Sequence, residues 1–285
     1  MKIPLESRLS LTSKQRAFED RGPYLTASVG FCKLAAGIQN RLAISSYLTP
    51  SDIAIFDKNL VAWFESLPSP LRSPYQCART LLVPRAVLRW RYQNIRLLLY
   101  RPALLHAGLS RKPFAELPSV EKDALELCRA IAGDSIIDIT TDWQPDHICG
   151  WNAVWYEASC RFPLERKADS AIRFLFQASM VPLLSLFYES DNVVEAGKWR
   201  GQVEMALRVL RSMELWSAVA KRSREVIAEV YEAANQMSRA MVDGAMNGWN
   251  QPSPFVPDEL WNSVMWDQVS QFPEFPFGPT EFNRF

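Results

Sequence analysis

No Cys-x2-Cys pair occurs in the sequence. Its five cysteines, Cys32, Cys77, Cys128, Cys149 and Cys160, are odd in number and widely scattered. That spacing fits reduced, mostly buried thiols better than a disulfide framework. Histidine is scarcer still, with only His106 and His147, so no structural zinc site can be assembled from obvious ligands. His147 and Cys149 are close, but alternate residues rarely ligate one metal without further ligands nearby. An excess of one charge sign is also lacking. The 32 basic and 31 acidic residues leave a net charge of +1, so no global field draws the chain to nucleic acid or to an acidic membrane. No stretch reaches about 18 uninterrupted apolar residues, and the opening MKIPLESRLSLTSKQRAFED mixes polar, apolar and charged residues, unlike a signal peptide. A soluble, intracellular protein is expected.

The usual catalytic patterns are missing too. No Gly-x-Ser-x-Gly elbow, Walker loop, His-Glu-x-x-His or dinucleotide fingerprint can be read. An all-α enzyme of the prenyl-diphosphate kind would need clustered aspartates on one helix to hold magnesium. Here the acids are dispersed. The nearest approach, Glu189 and Asp191 with Asn192, falls at a predicted helix end, where capping accounts for them. The expectation is a protein without catalysis and without a bound cofactor.

What is present is helical patterning. Ser51 is a predicted N-cap, followed at three-to-four-residue spacing by Ile53, Phe56, Leu60, Trp63, Phe64 and Leu67. Pro68 and Pro70 end that helix. A long apolar and basic stretch follows from Arg79 to Leu105. Ser119 starts a further helix, with Ala124, Leu127, Cys128 and Ile131 on one face and Lys122 where a capping box would need an acid. The segments Ile148–Tyr156 and Ala171–Tyr188 are apolar nearly all round, as befits helices at the centre of a large all-α domain. Two amphipathic stripes close the pattern. One is Val203, Ala206, Leu207, Leu210 and Met213; the other is Ile227, Val230, Tyr231, Ala234, Met237 and Met241. No β-hairpin signal appears, and prolines are expected mainly in connections. The predicted fold class is all-α, with an irregular helical domain over residues 1–249.

After Trp249 the composition changes. Residues 250–285 contain Pro252, Pro254, Pro257, Pro273, Pro276 and Pro279, interleaved with aromatics and acids, and Arg284 is their only basic residue. Such amphipathic composition describes a disordered segment that docks on partner grooves, activation domains among them. It equally describes a tail that packs back on the helical domain. Within it, Trp261, Val264, Met265 and Trp266 recur at helical spacing and are the candidate partner-binding residues.

The run Arg79, Arg85, Arg89, Arg91, Arg96 and Arg101 has no acid within it. At about 100° per residue, Arg85, Arg89 and Arg96 cluster, whereas Arg91 shares the sector of Leu88, Ile95 and Leu98. Half-buried arginines pair with carboxylates, so structural pairing is favoured here over phosphate contact.

Several phrases resemble the middle homology region of fungal zinc-cluster transcription factors. Asp57-Lys-Asn-Leu60-Val-Ala-Trp63-Phe-Glu-Ser-Leu67-Pro68 is similar to that family's acid, leucine, tryptophan and Leu-Pro ending. Tyr92-Gln93-Asn94-Ile95-Arg96-Leu97-Leu98-Leu99-Tyr100-Arg101-Pro102 resembles its most recognisable helix, in which Pro102 would bend the chain and Arg101 would satisfy freed carbonyls. Trp151 and Trp155 match the aromatic segment, and Trp199 with Leu207, Leu210 and Met213 a closing tryptophan-led helix. The order and spacing hold over about residues 25–245.

The resemblance implies a nuclear regulator of transcription by RNA polymerase II, with a metabolic or secondary-metabolite pathway as its field of control. It would act through a coactivator or a related regulator, as a homo- or heterodimer, with a small effector as a further option. Zinc is expected only in an N-terminal six-cysteine cluster that this sequence lacks, so DNA would be reached indirectly or through that missing domain, and no membrane contact is expected. Truncated paralogue, fragmentary gene model and partner subunit are the three forms such a chain could take. A metabolite-sensing helical module and an all-α enzyme are the alternatives.

Overall fold

Thr49 begins the first well-capped helix. Its hydroxyl accepts the Asp52 backbone N–H at 3.1 Å, and the Asp52 carboxylate accepts the Thr49 N–H at 3.1 Å, a reciprocal capping box with Pro50 at the first helical position. The cap is thus two residues before Ser51, which lies inside the helix. Asp52 explains the shift, because it stands three residues after Thr49 and completes the box. Its carboxyl is held below the usual range by these Thr49 hydrogen bonds and by Arg41.

The computed structural model describes residues 5–44, 48–73, 75, 81–110, 112–143, 169–189, 192–215 and 217–242. Of these residues 91% are helical and no strand occurs among them, so the fold is all-α. The helices are α1 (Leu5–Ile44), α2 (Pro50–Glu65), α3 (Ser69–Arg72), α4 (Leu82–Ser110), α5 (Ser119–Asp142), α6 (Asp169–Tyr188), α7 (Val193–Met213) and α8 (Ala218–Val242). The chain divides into two units, Met1–Ala234 and Asn235–Phe285. That division falls inside α8, before the change of composition after Trp249. The calls on Cys149, Trp151, Val154, Trp155 and the 250–285 tail lie outside the described residues.

In the first unit α4 is the hub. It packs most extensively on α5, broadly on α6, and less on α1 and α2. α6 also packs on α5 and α7. By length and composition α6 is the one helix among the described residues able to cross a membrane, yet 89% of its apolar window is buried inside the protein. Leu175, Ala178 and Leu183 are fully buried there, and the Ser179 and Ser185 hydroxyls donate to the carbonyls of Leu175 and Val181 one turn back. A small cluster of Leu186, Ala196, Trp199 and Ala234 joins α6, α7 and α8.

Three prolines lie inside helices rather than in connections: Pro23 in α1, Pro102 in α4 and Pro182 in α6. Each removes a single backbone bond, and packing along α4 and α6 holds the rest of the helix. Hence α4 runs through Pro102 to Ser110 instead of ending there. α5 starts at Ser119, as its sequence predicts. Pro118 precedes it as an N-cap without a side-chain bond, and Lys122 donates to the Ala115 carbonyl at 2.7 Å instead of serving the cap.

Burial sets the expected cost of substitution. Leu175→Ala, at a fully buried site, should lower stability by about 2–5 kcal/mol. Ile137→Ala, on the exposed side of α5, should change it by less than about 1 kcal/mol. Urea denaturation of both variants measures the difference.

Candidate functional site

Where α2 crosses α4, the two main phrases of the sequence meet. Arg96 donates through Nε and Nη2 to both oxygens of Asp57, at 2.5 and 3.0 Å, and through Nη1 to the Tyr92 hydroxyl at 3.2 Å. Both side chains of the pair are largely buried. Burial works against the Arg96 charge, but the Asp57 carboxylate outweighs it and holds the guanidinium above its usual range. The Tyr100 phenol, within hydrogen-bonding reach of Asp57, is pushed well above its ordinary value by burial and then by that carboxylate. Tyr92 is raised by burial as well.

An aromatic cluster adjoins the pair through Tyr92, whose ring lies 5.4 Å from the Arg96 guanidinium. Phe64 stacks on Tyr92 at 4.5 Å and 10°, and Trp63 lies 6.1 Å from Tyr92 and 5.2 Å from Phe31 of α1. α1 approaches closely because Gly30 faces Trp63. A Cβ there would stand 3.1 Å from the indole nitrogen.

Two further arginines of α4 are paired across the α4–α5 interface. Arg89 donates to Asp138 at 2.5 Å, joined by the Gln93 amide at 2.5 Å, and Arg85 meets Asp142 at 3.5 Å. Four residues forward on α4 match four back on α5, the register of an antiparallel pair. Asp134, one turn further along, has its carboxyl raised by burial and by Asp138, against the pull of Arg89 and Arg96. Structural pairing therefore accounts for Arg85, Arg89 and Arg96. Arg79 lies outside the described residues.

A second node fastens α5 to α6 and α7. Arg129 pairs with Glu189 at 2.9 Å, donates to the Ser185 hydroxyl at 3.0 Å, and lies 4.5 Å over the Trp199 ring. Burial pulls its guanidinium below the usual range, opposed by Glu189. Glu189 is thus occupied by an ion pair, while Asn192 caps α7 by accepting the Glu195 N–H at 3.3 Å. Asp191 lies outside the described residues.

The structure thus gathers Asp57, Trp63 and Arg96 at one crossing. Pro68 stands apart at the N-terminus of α3, and Trp199 sits at the Arg129 node. Arg101 does not turn to the carbonyl freed by Pro102. It is buried, and burial pulls its guanidinium below the usual range. Burial pushes the Cys128 thiol up to about 12, so it is protonated and unreactive at neutral pH. Trp261, Val264, Met265 and Trp266 lie outside the described residues. Arg129 and Asp138 escaped the sequence reading, which named Glu189 only as a helix-end acid. Asp134, Asp138 and Asp142, spaced four apart, were the available signal for the α5 partner of the basic stretch. Among the described residues no group of three His, Cys, Asp or Glu could hold a metal. No family model, curated protein or solved structure matches the chain.

Removing one member of the α2–α4 pair strands the other. Asp57→Ala should cost about 3–5 kcal/mol, and the double variant Asp57→Leu with Arg96→Met should recover most of that loss. A double-mutant cycle by urea denaturation tests this, and a double variant no more stable than Asp57→Ala would contradict it.

Alkaline pH should also weaken the fold. Cys128, Tyr92 and Tyr100 have folded-state values raised above ordinary ones of 9.0 and 10.0. Their contribution is complete below those ordinary values and is lost as pH rises through the folded ones. The urea midpoint should fall from about pH 9 upward. Cys128→Ala should flatten the first part of that fall, between about pH 9 and 10, and leave the tyrosine-dependent part.

Proposed function

We propose that the chain is a transcription regulator of the fungal zinc-cluster type, acting in the nucleus through protein contacts and without catalysis. The observation that supports this reading is the coincidence of resemblance and packing. Asp57 and Trp63 come from one phrase of the resemblance, Tyr92 and Arg96 from another, and they meet in one buried crossing. In this reading the helical unit is a protein-binding and restraining module, DNA is reached through another domain or partner, and residues 250–285 contact a coactivator. Their aromatics would enter its groove as short helices do, folding on contact.

The test tethers the full chain, and separately residues 250–285, to an unrelated DNA-binding domain in fungal cells carrying a reporter. Both fusions should activate the reporter. Replacing Trp261 and Trp266 together by alanine should remove most of that activity, because buried aromatic anchors carry such contacts. Silence of both fusions at normal protein levels would sink the proposal.

A further inference from the structure

Serine or threonine followed by proline occurs four times in the sequence, at Thr49-Pro50, Ser69-Pro70, Ser73-Pro74 and Ser253-Pro254. Such a pair suits the cleft of a proline-directed protein kinase. Proline has no backbone N–H to leave unsatisfied in the pocket that takes the residue after the hydroxyl. Kinases of this class also read a basic side chain three residues after the hydroxyl. Ser69 alone meets that condition, through Arg72; the third residue is Asp52 after Thr49, Gln76 after Ser73 and Val256 after Ser253. The fold divides the pairs in the same way. The Thr49 hydroxyl is committed to the capping box of α2, Ser73 is half-buried, and Ser253 lies outside the described residues. Ser69 is exposed, and so are Pro68, Pro70 and Arg72 beside it.

Ser69 opens α3, in the connection between α2 and the hub helix. That helix is a single turn. The Leu71 and Arg72 N–H groups donate to the Pro68 carbonyl at 2.9 and 3.2 Å, and the Ser73 N–H to the Ser69 carbonyl at 2.9 Å. One turn does not sustain itself, and Pro68 caps it without a side-chain bond. What holds the corner is Leu67 and Leu71, only 5% and 2% exposed, on either side of the exposed Pro68-Ser69-Pro70 arch. Release of Leu71 alone opens the turn to the extended form that a kinase cleft accepts, a local event that leaves the neighbouring helices in place.

We propose that Ser69 is a phosphorylation site for a proline-directed kinase, with Arg72 as the basic residue that the kinase reads. The γ-phosphoryl group of ATP passes to the Ser69 Oγ, its bond to the ADP oxygen breaks, and the hydroxyl proton goes to the base of the kinase. The phosphate adds a charge of about −2 to a chain of net charge +1. It stands three residues from Arg72, a spacing at which helical neighbours pair. The modification changes the charge of the surface and not the core, because Leu67 and Leu71 supply the corner's buried contacts. A doubly charged corner is a mark that an arginine-lined surface of another protein reads. The site stands independently of the regulatory reading.

The folded full chain is incubated with ATP and a purified proline-directed kinase that selects a basic third residue, and modified positions are found by mass spectrometry. Phosphate should appear at Ser69 and approach one per chain. Ser69→Ala should remove it, and Ser73→Ala should leave it. Arg72→Ala should lower kcat/KM at Ser69 by about tenfold or more, the effect of losing one charge-assisted contact, and Arg72→Lys should restore most of that loss. Labelling confined to other residues overturns the proposal. So does labelling of Ser69 that appears only after the chain has been denatured, since the fold then closes the motif to the kinase. A rate at Ser69 indifferent to Arg72→Ala overturns the assignment of Arg72 and, with it, the kinase class.

Discussion

The middle of this fold depends on neutralising one helix. From Arg79 to Leu105 the chain has no acidic residue and six arginines, yet this same stretch supplies the helix that touches four others. A hub helix cannot keep all its arginines in water. Those that face neighbours must meet carboxylates from other helices, and the placement of Asp57 on α2 and of Asp138 and Asp142 on α5 follows from that requirement.

Apolar contact alone would leave the α4–α5 register loosely specified, because leucines and alanines at helical spacing pack in several offsets. The ladder of Arg85 with Asp142 and Arg89 with Asp138 accepts only one. A slip by a turn would leave an arginine at one end and an aspartate at the other without a partner in a partly buried interface, which costs more than the pairs themselves contribute. The same logic applies where α2 crosses α4, with one addition. There Tyr92 lies against the guanidinium and donors of Arg96 meet both Asp57 oxygens, so the geometry is bidentate. Arg129 repeats the device at the junction of α5, α6 and α7, with the Trp199 ring against its guanidinium.

Charge pairing of this kind makes the hub helix responsive. Any group that adds or removes an anion beside α4 changes the balance of a helix in contact with α1, α2, α5 and α6.

Much was legible in the sequence because it rests on local chemistry. Helical periodicity identified the buried stripes of α2, α5, α6 and α7, since the side of a helix that packs is set by residue spacing. The acid-free basic stretch implied carboxylate partners for Arg85, Arg89 and Arg96, because burial of an arginine demands them. Which carboxylates would answer was decided only by the tertiary structure. Asp57 lies 39 residues from Arg96 and Asp138 lies 49 from Arg89, and no local rule links positions so distant. The cap of α2 was misplaced by two residues because Thr49 and Ser51 are both good caps, and the reach of Asp52 back to Thr49 chose between them. The inward turn of Arg101 was likewise invisible. A proline beside it pointed to a helix end, but the packing of α5 against α4 carries the helix through Pro102, and that same packing buries the arginine.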